Sequence, residues 1–159
     1  MIGVEIFPKY NKIDVEIEIW SCIDNRFYKL SALLDTGASI SHVNLSIVDN
    51  LGYDYTEALY PVHGFGGTKN NKVYNTIFHR FRLGGIELGP VCFHASDLSE
   101  FSSQVILGYN ILKEFNFTVN FDKNLLELSP RFDLNCIDTM DNFSPNFSRF
   151  GIYFTDNKK

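Results

Sequence analysis

Residues 13–20, IDVEIEIW, alternate apolar and polar side chains without a break. A period of two sends successive side chains to opposite faces, which suits a strand with one buried face and does not suit a helix. A polar turn, DNRF (24–27), follows, and YKLSALL (28–34) is expected to return beside the first strand. Residues 58–95 add further strands punctuated by glycine turns. QVILGYNILKEF (104–115) passes from a short apolar strand into a helix, and FTVNFDKNLLELS (117–129) reads as a hairpin around Asp122–Asn124. SHVNLSIVDNLGY (41–53) has helical spacing in Val43, Ile47 and Leu51, with Gly52 as the stop. The fold class is therefore mainly β with two short helices.

A length of 159 residues suits one domain. The domain is expected over 1–129, followed by an extension, 130–159, of unknown role in which Asn, Asp, Ser and Phe become frequent. The net charge of -5, with no Lys/Arg cluster, argues against nucleic acid as a partner. Apolar runs are far too short for a membrane span, so no membrane partner is expected. Cys22, Cys92 and Cys136 are widely separated and never in a C-x-x-C pair, as in a reducing compartment. No basic segment followed by an apolar one opens the chain, and a cytoplasmic location is expected.

Two tempting sites fail on spacing. The glycine-rich HGFGGTK (63–69) has Thr before Lys, the reverse of a phosphate-binding loop, and Lys69 takes the place of the last glycine in the dinucleotide pattern. The four histidines form no close ligand set, so neither metal nor cofactor is expected. What needs explaining is Asp35. It follows directly on the apolar run of YKLSALL and has no Lys or Arg within five residues on either side. An ionised carboxylate is expensive to remove from water without a partner.

Asp35-Thr36-Gly37-Ala38 resembles the active-site motif of the aspartic proteases, and Ala38 favours the retropepsin-like branch. The context agrees over about residues 12–129. The motif follows an apolar strand, a glycine-rich hairpin stands where the family keeps its flap, and Ile106-Leu107-Gly108 leads into a helix. The resemblance implies a retropepsin-like acid-protease fold, a closed β-barrel-like lobe with short helices, one lobe per chain and active as a two-fold homodimer. A chain with a single Asp-Thr-Gly obtains its second aspartate from a second copy; Asp138-Thr139 lacks the glycine and has no lobe after it. The substrate would be a protein or peptide, hydrolysed by a water activated between the two Asp35 carboxylates.

The resemblance also assigns roles. Thr36 would bond across to the partner's loop, and Gly37 would let its N–H approach the carboxylate where any Cβ would collide. Ala38 would keep the floor low for the substrate main chain, and Ser39 would bond the outer oxygen of Asp35. His63, Gly64, Phe65, Gly66 and Gly67 would form the flap, with Phe65 favouring apolar side chains beside the scissile bond. Ile106, Leu107 and Gly108 would support the site. The alternative from another class is the same fold used as an inactive dimerisation or peptide-binding module.

Overall fold

The computed structural model describes residues 1–58 and 72–131. Within them the chain forms, in order, β1 (Ile2–Lys9), β2 (Lys12–Ser21), β3 (Arg26–Leu34), β4 (His42–Asn44), α1 (Leu45–Leu51), β5 (Tyr55–Glu57) and β6 (Tyr74–Phe78). Then come β7 (Phe81–Leu83), β8 (Ile86–Leu88), β9 (Val91–Ser96), β10 (Val105–Leu107), α2 (Tyr109–Leu112), β11 (Phe115–Asn120) and β12 (Leu125–Pro130). The period-two stretch is β2: Val15, Ile17 and Ile19 are buried, and burying each such side chain is worth about 2 kcal/mol.

The strands run in the order β11-β12-β1-β2-β3-β10-β4-β9-β6-β5, with β7 pairing β2 and β8. β1 is divided between two neighbours: Ile2–Glu5 pair with β12, and Ile6–Lys9 pair with β2. β10 lies between β3, to which it is parallel, and β4, to which it is antiparallel. The closed barrel-like lobe expected from the resemblance is not what forms; the sheet stays open. Closure requires the outermost strands to find one another. Here β12 is committed to β1, which leaves β11 at one end of the path, and the three-residue β5 lies at the other.

Helix spacing in 41–53 holds only from Leu45 onward. Val43 belongs to β4, and the Asn44 side chain caps α1 by accepting from the Ser46 N–H. Gly52 ends the helix as expected, in the left-handed conformation at φ 79°.

Alternation gives the central strands two distinct faces. Ala32, Val105, Leu107, Val43, Val91, Phe93, Ala95 and Phe78 point into the main core. Leu33, Ile106, His42, His94 and Asn75 alternate with them and so occupy the opposite face. None of these five belongs to the core cluster, although Ile106 and His42 are buried.

Candidate active site

Asp35 is the first residue after β3, and its N–H donates to the Leu107 carbonyl at 3.0 Å, extending the β3–β10 pairing by one step. By alternation its side chain belongs to the same face as Leu33. The chain then leaves the sheet in a tight turn, in which the Ala38 N–H reaches the Asp35 carbonyl at 3.3 Å. The Gly37 N–H donates to Asp35 Oδ1 at 2.9 Å, so a fixed backbone dipole holds one carboxylate oxygen while the residue stays partly open to solvent.

Gly37 accounts for this approach, with one correction. A Cβ there would stand 3.2 Å from Asp35 Oδ1, which is crowding rather than the collision expected. Gly108 is the position where a side chain is forbidden. A Cβ on it would meet the Ala38 carbonyl oxygen at 2.7 Å and backbone atoms of Ile40 and Ser41 at 2.9 Å. Its φ of -101° is ordinary, so the requirement comes from space alone.

The close approach of Gly108 lets the segment after β10 clamp the aspartate loop. The Tyr109 N–H donates to the Ala38 carbonyl at 2.7 Å, and the Asn110 N–H to the Ser39 carbonyl at 3.1 Å. Asn110 Oδ1 accepts from both the N–H and the hydroxyl of Ser41, each at 2.8 Å, and its Nδ2 donates to the Cys92 carbonyl at 3.0 Å. Ser41 Oγ accepts in turn from the Gly108 N–H at 2.9 Å, and the Ser41 carbonyl takes the His94 N–H at 2.9 Å. Asn110 and Ser41 are both buried, so these bonds are shielded from water.

The structure thus brings Asp35, Thr36, Gly37, Ala38 and Ser39 together with Ile106, Leu107 and Gly108. Thr36 is exposed. Ser39 enters through its carbonyl, which Asn110 engages, and among the described residues its hydroxyl makes no hydrogen bond to Asp35. His63, Gly64, Phe65, Gly66 and Gly67 lie outside the described residues. The residues that sequence reasoning missed are Ser41 and Asn110. The available signal was Asn110 itself, a polar residue interrupting the apolar stretch from Val105 to Leu112.

Two imidazoles stand next to the clamp. His42 Nε2 is 2.7 Å from Ser96 Oγ, and the His42 and His94 rings meet edge to face at 6.1 Å between centroids. Burial, with His94 nearby as the smaller cause, pushes His42 down to about 4; burial also lowers His94. Among the described residues no group of His, Cys, Asp or Glu is placed to hold a metal ion, and no helix is long and apolar enough to cross a membrane.

Residues 22–114 match the family described as "gag-polyprotein putative aspartyl protease". No curated protein sequence matches the chain. Among solved structures, the fold is similar to a retropepsin-like aspartic protease from Rickettsia conorii (TM-score 0.57, 19% identity, 79% of this chain and 87% of that chain). It is also similar to the retroviral protease-like domain of Ddi1 from Leishmania major (TM-score 0.53, 18% identity, 76% of this chain and 90% of that chain). The matched segment contains Asp35 and the whole Gly108–Asn110 clamp, and the chain belongs to the retropepsin-like aspartic protease family.

Proposed function

We propose that the chain is an aspartic endopeptidase that works as a two-fold homodimer, with Asp35 of each copy forming one half of the site. The observation that carries this is the placement of Asp35: a carboxylate at the end of a sheet strand, bonded by the Gly37 N–H on one oxygen, on a loop fixed through Gly108 and Asn110. A single such acid cannot both take a proton from water and give one to a carbonyl oxygen. Two carboxylates a few ångströms apart can, because like charges that close hold one proton between them. The ionised member draws a proton from the bound water, which attacks the peptide carbonyl. The protonated member polarises that carbonyl and donates to the oxyanion as it forms. The proton taken from water then passes to the leaving amine.

In this reading Thr36, which is exposed, would steady the dimer through its hydroxyl, and Ala38 would leave room for the substrate backbone. The glycine-rich segment 63–67 would close over an extended peptide by pairing with its main chain. The test is Asp35→Asn, which keeps size and shape but removes the shared proton. Cleavage of denatured casein should fall at least a thousandfold while the melting temperature and oligomeric state stay as in the parent, on the order expected for removing an essential acid–base group. Undiminished turnover in that variant overturns the mechanism. A parent protein that binds peptides but never cuts them favours the binding-module reading instead.

A further inference from the structure

The face of the sheet that carries Asp35 also carries a row of side chains in register: Leu33, Ile106, His42, His94 and Asn75, on β3, β10, β4, β9 and β6 in turn. With neighbouring strands about 4.8 Å apart, His94 stands roughly 14 Å along this row from Leu33, a span that about four residues of extended peptide cover. The near end of the row is apolar and the far end is polar. His94 and Asn75 are directly paired across β9 and β6, and both are partly exposed. On the other side of His94 in the row, His42 is held by Ser96.

Asn75 supplies the decisive detail. Its Oδ1 is a buried side-chain oxygen with no hydrogen-bond partner, the one such side-chain atom among the described residues. An orphaned buried acceptor costs on the order of 1–3 kcal/mol, and folded chains seldom keep one without a use. Because the terminal amide torsion is soft and the residue is partly exposed, a small turn offers this oxygen to an incoming donor.

We propose, building on the protease reading above, that His94 and Asn75, backed by His42 and Ser96, form a polar subsite. It accepts an uncharged hydrogen-bonding side chain, above all the carboxamide of Gln or Asn, within four residues of the bond that is cut. A carboxamide brings an N–H to the Asn75 oxygen and a carbonyl to an imidazole or amide N–H, so both sides are satisfied. An apolar side chain would leave the Asn75 oxygen orphaned. A carboxylate or ammonium would be stripped of water with no opposite charge in register beside the pair, whose neighbours in the row are His42 and Thr56; Asp14, paired with Leu33, and Asp35 lie at the other end. Burial lowers the basicity of both histidines, which agrees with an uncharged occupant.

The experiment compares peptides with one cleavable core that carry Gln, Leu, Glu or Lys at each position up to four residues on either side. Binding to the Asp35→Asn protein is measured by calorimetry, and cleavage by the parent protein is followed in parallel. At one position Gln should exceed Leu about tenfold in affinity and in kcat/KM, with Glu and Lys poorest, as expected for a hydrogen bond that only one competitor completes. Asn75→Leu and His94→Phe, on different strands, should each bring Gln and Leu to parity or favour Leu. Equal or better binding of Leu at every position, or no binding of any peptide, overturns the subsite. Gln-selective binding without cleavage by the parent upholds the subsite and overturns the protease reading.

Discussion

Asn110 does for the aspartate loop what a disulfide does in other small sites: it ties distant backbone segments through one buried side chain. Its amide answers two donors of Ser41 and one carbonyl of Cys92. Asn110→Leu keeps the volume and leaves these groups unpaired and buried, a loss of about 3 kcal/mol that a thermal melt would read directly. Turnover should fall with it, because the Tyr109 and Asn110 N–H groups that hold the carbonyls of Ala38 and Ser39 belong to the same turn. His42 sets a second limit at this scale. Its folded-state value of about 4 lies below the ordinary 6.5, so the neutral ring contributes stability that is complete above pH 6.5 and is lost as pH falls toward 4. The loss amounts to roughly 3 kcal/mol. Melting temperatures taken from pH 7.5 to 4.5 should fall steadily, and His42→Leu should flatten that slope. An unchanged slope in the variant would remove His42 as its cause.

Among the elements, legibility followed periodicity. β2 and β3 were plain in the alternation of IDVEIEIW and in YKLSALL, and the β11–β12 hairpin in the turn at Asp122–Asn124. β1 was missed although Ile2, Val4 and Ile6 alternate in it, because Gly3 and Phe7 stand at its outward positions and Pro8 follows. β4 was hidden inside a helical repeat: Val43 keeps the spacing of α1 but pairs with Val105. Such a strand is a matter of tertiary pairing, which no local window contains. For the same reason Asp35 could be found by its motif while Ser41 could not, since its partner lies far along the chain at Asn110. β1 also yields a prediction. Deleting residues 1–5 strips one neighbour from β12 and uncovers Leu126 and Leu128, both buried. With several buried apolar side chains exposed, the truncated protein should lose about 4 kcal/mol and melt well below the parent, as a denaturant titration would show.

The whole molecule offers one Asp35 and therefore half of the proposed chemistry. Specific activity should accordingly depend on concentration: on dilution, turnover per chain should fall in step with the dimer fraction seen by analytical ultracentrifugation. Activity per chain that stays constant while the protein is demonstrably monomeric would exclude a site shared between copies. The segment matched by the family, residues 22–114, contains the motif and its clamp but neither β1 and β2 nor the β11–β12 hairpin. These four strands pair in the order β11-β12-β1-β2, and β2 joins them to β3, so this side of the sheet is completed by chain that the family pattern does not cover.

That shared seam has a practical corollary. Ile2 sits opposite Leu128, so the front of the chain and the exit of β12 lie side by side. Fluorophores attached at Met1 and at Arg131 would therefore stand roughly 10 Å apart. A short linker joining those two points, with residues 132–159 left out, would give a circularly permuted version with every backbone ladder of the described residues intact, and new ends could be opened at the tight Gly84–Gly85 turn.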